Sequence, residues 1–434
     1  MTASASPTAC ALRILFLAPE EGAPTHTGGG QRTHHLFRAL SVLGEVDVLV
    51  SAECLPMLEA DLLARCRLEF QGAACVALHR SRPTFVYPPT RGPLLWRKAW
   101  FAIRRMRSAV EPRRRRFEPT AAALAALDAL IDERRYDVIV GRYLRQTAVS
   151  GALEQPRVPV LCDLDDLDEV VLETRIRALA GRPLKALLAR WGLRQIEGFA
   201  PALRRRCKHL WVASEIDRAL VSHPSVSVLS NIPFSPNGFP SRSTPTRRDH
   251  RVALFVGSYV HTANRSGLVD FVARVWPEIR RRCGDAELRI VGSGGWDRMA
   301  SELLAPGVEI VGAVDELSRE YADASFAVVP VREGAGTKIK VAEALAFGRA
   351  VVAYDHAVRG YEPLVGNGLV SVWSDKDMVA ACLDLFAHPD RRDELAARGH
   401  ALARASFSYR GFEREVVEST VRAARQRVLE GSEV

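Results

Sequence analysis

The stretch Pro330–Val352, PVREGAGTKIKVAEALAFGRAVV, decides how this chain reads. An apolar run from Phe326 to Val331 gives way to a glycine loop (Gly334, Ala335, Gly336). Thr337 then stands where it can cap a helix running to about Phe347, and Ala350 to Tyr354 starts another apolar run. The pattern is strand, loop, helix, strand. Glycines after a strand let the backbone come close to a ligand, and the unpaired N–H groups at a helix start favour an anion such as phosphate. Lys338 and Lys340 add positive charge, and in a chain with six lysines against 54 arginines their placement beside this loop is uneven. Glu343 is expected two helical turns in, where its carboxylate can accept hydrogen bonds from the paired hydroxyls of a ribose. A capped surface helix with a solvated glutamate is the plainer alternative. The order GAGTK is not that of a Walker loop.

The same alternation extends outward. Downstream of residue 250 the apolar runs are Val252–Ser258, Glu287–Gly292 and Val308–Gly312; upstream they are Leu12–Pro19, Val46–Val50, Asp137–Gly141, Val158–Asp163 and His209–Ser214. Helical patterns fall near 33–43, 119–134 and 184–206. The fold class is therefore α/β, with parallel sheets covered on both faces. Between the two series lies a proline-rich, weakly apolar stretch that reads as a linker over 236–249. The expected domains are 1–235 and 250–407, with a terminal helix in 408–434 packing back on the first.

With 434 residues, 47% apolar and 26% charged, the chain is globular and long enough for two cores. Its net charge of +9 is concentrated, since residues 91–116 hold ten basic side chains and one acidic one. Leu95, Trp96, Trp100, Ile103, Met106 and Val110 fall close to a helical stripe within that strip, a pattern suited to an anionic membrane surface. A solvated basic loop and a nucleic-acid patch are the alternatives, but no nucleic-acid motif accompanies the strip, and no nucleic-acid partner is expected. No apolar run approaches the ~20 residues of a membrane span, and no signal peptide is expected. Eight cysteines without a CxxC pair suit a reducing compartment. The expected location is cytoplasmic, peripheral on the inner face of the membrane.

Three stretches carry a resemblance: LFVGSYVHTANRSGLVDFV (254–272), LRIVGSGGWDRM (288–299) and VEIVG…AVVAYD (308–355). Together they resemble the donor domain of the retaining family 4 glycosyltransferases, which have the GT-B architecture of two Rossmann-like domains facing a cleft. The resemblance implies a nucleotide-sugar donor held by Gly336, Thr337, Lys338, Lys340 and Glu343, with Glu343 on the ribose and basic residues on the diphosphate. Family members carry a second glutamate eight residues earlier, where this chain has Ala335; Glu333, ten before, is the candidate for the sugar-facing carboxylate. The usual basic pair after the first donor-domain strand is altered, with His261, Asn264 and Arg265 as the polar groups there; Arg265 is assigned to the diphosphate, with a solvated helix start as the plain alternative.

The first domain fits the family more loosely, through Gly28-Gly29-Gly30-Gln31-Arg32, Ser214-Glu215 and VLSNIP (228–233). Gly29 and Gly30 are expected in a loop whose N–H groups meet the diphosphate from the opposite side, or in one that merely needs positive φ. In CDLDDLD (162–168), Asp163 or Asp165 is expected at the cleft, orienting the acceptor hydroxyl; a helix start dressed with acids is the plain alternative. A DxD metal reading is set aside, and no metal and no cofactor is expected. The implied reaction is sugar transfer with retention, in which Lys338, Arg265 and backbone N–H groups stabilise the departing diphosphate. A non-catalytic glycan- or partner-binding module and a sugar-nucleotide epimerase are the alternative functions.

Overall fold

The computed structural model describes residues 11–24, 27–52, 59–80, 111–179, 181–233, 239–242 and 250–431. Two parallel sheets organise it. The first contains β1 (Leu12–Ala18), β2 (Gly44–Ala52), β3 (Cys75–Arg80), β4 (Val138–Arg142), β5 (Val160–Asp165), β6 (His209–Val212) and β7 (Val226–Val228), in the order β3-β2-β1-β4-β5-β6-β7. The second contains β8 (Val252–Val256), β9 (Glu287–Val291), β10 (Val308–Gly312), β11 (Phe326–Val329), β12 (Val351–Tyr354) and β13 (Leu369–Val372), in the order β10-β9-β8-β11-β12-β13. These are two Rossmann-like domains, as the alternation of runs implied. The alternation did not disclose β3, β7 or β13.

Continuously apolar central strands explain the layering. Ile14 to Ala18 and Val138 to Arg142 are buried along their whole length, so helices must cover both faces. One apolar cluster joins the two domains: it runs from Ile14, Phe16 and Val140 through Leu229, Ile232, Phe407 and Phe412 to Val341 and Leu345. The linker reading of 236–249 falls mostly on residues outside the described ones. The C-terminal helix, Tyr409–Gly431, lies on the helix Gly28–Ser41. There His35 is wedged between Tyr409 and Phe412, and Arg38 stacks over the Tyr409 ring at 4.6 Å. Burial, with His34 and Arg38 close by, lowers the His35 pKa to about 3, so this ring is a neutral packing element.

In each sheet the strand order reverses once. The chain leaves β1 toward β2 and β3 and returns on the other side as β4; it leaves β8 toward β9 and β10 and returns as β11. Beyond the carboxyl ends of such strand pairs a crevice opens, and ligands of open α/β sheets bind there.

Candidate active site

The two reversal points meet. The helix Gly28–Ser41 starts above β1, the helix Ile339–Ala346 starts above β11, and their first turns abut: a Cβ on Gly28 would lie 3.1 Å from Ile339 Cγ2. The positive ends of two helix dipoles thus converge on one place. Gly28–Gly30 form the first turn of the helix rather than a loop, because Thr27 caps it by accepting from the Gly30 N–H at 3.2 Å. None of the three has positive φ. Their small size serves close approach: a Cβ on Gly29 would touch the Tyr143 hydroxyl at 3.1 Å, and one on Gly30 would strike the Pro24 carbonyl.

Across the cleft the helix also starts differently from the sequence expectation. Its N-cap is Lys338, so Thr337 lies one residue too early to cap it and Glu343 is about one turn inside. Thr337 Oγ1 instead accepts from Asn231 Nδ2 at 2.8 Å, and the same amide donates to Asp165 Oδ1 at 3.1 Å. Lys338 folds under the glycine loop and donates to the carbonyls of Gly334, Ala335 and Gly336 at 3.0, 2.7 and 2.9 Å. All three ammonium protons are thereby used, so what Lys338 offers the space above the loop is its charge and not a further hydrogen bond. Lys340 donates to Asn264 Oδ1 at 2.5 Å and lies over the Phe255 ring at 4.7 Å. Burial lowers the pKa of Lys338 to about 8 and that of Lys340 to about 7. Glu343 is buried and accepts from the Tyr321 hydroxyl at 2.9 Å; its burial raises its pKa.

Arg265 lies on the helix after β8, and Glu333 bonds the same helix. The Arg265 guanidinium donates to the carbonyls of Tyr259 and Val260, at 2.7 and 3.2 Å, and stacks on the Tyr259 ring. Glu333 accepts from Ser266 Oγ at 2.6 Å. His261, Arg265, Lys338 and Lys340 are near enough to one another that, after burial, the three cations depress the His261 pKa. The rim of this crevice is accordingly positive.

Asp163 departs from its expected role. β5 continues to Asp165, leaving Asp163 inside the strand with no exposed surface. Arg32 donates to both its oxygens, at 2.9 and 2.6 Å, and Arg142 donates to Oδ2 at 2.8 Å. Arg142 also reaches Asp165 at 2.7 Å, and Arg32 bonds the Leu229 carbonyl at 2.5 Å. Burial would raise the Asp165 pKa, but Arg142 and Arg32 bring it down to about 2. Two arginines and two aspartates close a neutral, buried square. Asp163 holds β1-side, β4 and β5 elements together and has no face left for an acceptor.

The first-domain carboxylate at the cleft is Asp166, which the sequence reading passed over. Its Oδ1 stands so close to the Gly336 backbone (φ +70°) that a Cβ there would overlap it. Burial and the neighbouring Asp165 raise its pKa to about 7. Strain gathers beside it, with Tyr143 (φ +63°) after β4 and Asp165 (φ +47°) at the end of β5. Asp166 stands directly after the DxD pair Asp163-Leu164-Asp165, a legible signal; Tyr321, on a separate helix, had none. Arg359 pairs with Asp217 at 2.5 Å, closing the domains on that side. Beside this pair a cavity of about 320 Å³ opens between Glu173, Thr174 and Arg177 of the first domain and Gly334, His356 and Arg359 of the second. Among the described residues no cluster of three or more His, Cys, Asp or Glu is placed to hold a metal ion.

Replacing Gly336 by alanine is expected to lower stability by about 1–2 kcal/mol, since the left-handed backbone is strained for any L residue. The methyl also displaces Asp166. Thermal denaturation checks the first effect, and nucleotide titration reads the disturbance of the loop.

Residues 250–388 match the family model described as Glycosyl transferases group 1. No curated protein matches the chain by sequence. Among solved structures, the chain is similar to sucrose-phosphate synthase from Thermosynechococcus elongatus, with a TM-score of 0.63 and 15% identity, covering 95% of this chain and 98% of that one. It is also similar to Anabaena HepE in complex with UDP, with a TM-score of 0.59 and 13% identity over 95% and 100% of the two chains. A third is WaaG, a glycosyltransferase involved in lipopolysaccharide biosynthesis, with a TM-score of 0.53 and 12% identity over 93% and 98%. The fold is that of the GT-B glycosyltransferases.

Proposed function

We propose that the protein is a retaining glycosyltransferase that moves a sugar from a nucleoside-diphosphate sugar to a hydroxyl of a glycan or lipid-linked acceptor, in cell-surface polysaccharide or glycolipid synthesis. The observation that carries this reading is the meeting of two helix N-termini at Gly28 and Ile339, with Glu343 buried behind them. An anionic diphosphate between the two dipoles gains from both, and a buried carboxylate one turn in is matched to ribose hydroxyls. The family match over 250–388 and the UDP in the similar HepE structure support the donor class.

In this reading Gly29 and Gly30 offer backbone N–H groups to the diphosphate from the first domain. Gly336 and Thr337 shape the opposite wall, while Lys338, Lys340 and Arg265 supply positive charge. Glu333 faces the sugar. Asp166, across from the glycine loop, orients the acceptor hydroxyl, which enters through the cavity beside Arg177. The departing diphosphate oxygen takes the acceptor's proton, and transfer proceeds without a metal. The basic strip 91–116, of which residues 91–110 lie outside the described ones, holds the enzyme at an anionic membrane face.

Charge linkage gives a test. A diphosphate favours the protonated lysines, so binding takes up protons. Affinity should fall by about tenfold or more between pH 7 and pH 9, as Lys340 and Lys338 lose their charge through pKa values near 7 and 8. Calorimetric titration in buffers of different ionisation enthalpy measures both quantities. A pH-independent affinity without proton uptake overturns the lysine assignment. The three spent donors of Lys338 favour a second reading, a module that binds donor or glycan without turning it over. Donor hydrolysis or transfer by the wild-type protein eliminates it.

A further inference from the structure

We infer that the exposed face of the helix Pro183–Arg204 is a membrane-contact surface that lies flat on an anionic bilayer. The inference extends the membrane reading of residues 91–116 and names a second, separate element. Leu184, Leu187, Leu188 and Trp191 recur at i, i+3, i+4 and i+7 and stand 77, 63, 38 and 41% exposed. The opposite face, Ala189, Gly192, Ile196 and Ala200, is buried against the domain. A surface helix ordinarily turns one apolar stripe to its core, and this helix carries a second one toward solvent.

Charge identifies the occupant. From Gly181 to Gln195 the chain contains Arg182, Lys185, Arg190 and Arg194, all exposed, and no acidic residue. The short helix Arg113–Phe117 packs on the same element: the Arg113 N–H donates to Gln195 Oε1 at 2.8 Å, and the Arg113 guanidinium lies against Gly192. Burial lowers the Arg113 pKa to about 10, and Arg116 and Arg175 lie near enough to add to that effect. The end of the basic strip and the apolar stripe therefore form one surface, leucines and a tryptophan ringed by arginines. That chemistry fits the headgroup boundary of a bilayer rich in acidic lipid. No helix among the described residues is long and apolar enough to cross the membrane, so the contact is peripheral.

The test is flotation of the full-length protein with vesicles of phosphatidylcholine alone or mixed with phosphatidylglycerol, without donor or acceptor, so that failure of the transferase reading does not enter. Wild type is expected on the mixed vesicles. L184S/L187S/W191S should bind about a hundredfold more weakly, with an unchanged melting temperature because the residues already face water. Charge reversal at Arg104, Arg105 and Arg107 tests the strip separately. Undiminished binding by the triple variant overturns the proposal even if the strip variant fails. So does a melting temperature lowered by several degrees, which would mean another part of the chain covers the stripe. A wild-type dimer that the triple variant turns into a monomer assigns the face to a second copy and likewise overturns it.

Discussion

Asp163→Ala is expected to destabilise the first domain by about 3–5 kcal/mol, because it leaves Arg32 and Arg142 buried beside a single aspartate. Both guanidiniums bond Asp163 with side chains essentially inaccessible to water, so neither can recover hydration without opening the sheet. Scanning calorimetry should show the melting temperature falling by roughly 10 °C. Asp163→Asn preserves the shape and should recover part of the loss. A catalytic Asp163 would behave otherwise: the alanine variant would melt normally and lose turnover. Asp166→Asn provides the contrast. A folded pKa near 7, raised above the ordinary carboxylate value, means that wild-type stability declines as pH rises from about 4 to 7. The asparagine variant should therefore melt a few degrees higher than wild type at pH 8 and lose transfer.

The second large effect concerns Glu343. Glu343→Ala is expected to weaken nucleotide-sugar binding about a hundredfold, the worth of two charge-assisted hydrogen bonds to a ribose offset by rehydration of the emptied site. It also deprives the buried Tyr321 hydroxyl of its acceptor, so Glu343→Gln, which keeps that bond, is the control for folding. Both variants should bind inorganic pyrophosphate nearly as well as wild type. Loss of pyrophosphate binding in the glutamine variant would place Glu343 among the groups that shape the anion site and remove it from the ribose.

The sheets were legible because fully buried parallel strands advertise themselves as apolar runs, and β1, β4, β8 and β11 are such runs. β3, β7 and β13 are short or partly exposed edge positions and lack that signature. The glycine loop and Glu343 were legible for the same local reason, a strand followed by glycines and a helical pattern. The Gly28–Gly30 turn was visible as a site but misread as a loop. A run of three glycines carries no helical propensity, and the Thr27 cap with the packing of His35 on Tyr409 and Phe412 overrides it. Asp163 was misplaced by two residues of strand length, which moved a carboxylate from the cleft to the sheet interior. Its partners Arg32 and Arg142 lie 131 and 21 positions away, and no local pattern links them. Lys338 was found by charge alone; that its ammonium turns under its own loop is a matter of backbone path.

The proposed donor, a nucleoside-diphosphate sugar, binds where the two strand-order reversals meet. Calorimetric titration of the protein with UDP, GDP and ADP sugars, repeated with Glu343→Gln, tests it most directly. One donor is expected to bind at a 1:1 ratio and to bind at least tenfold more weakly to the glutamine variant. Heat-silent titrations with every donor, or equal affinity for both proteins, would contradict it.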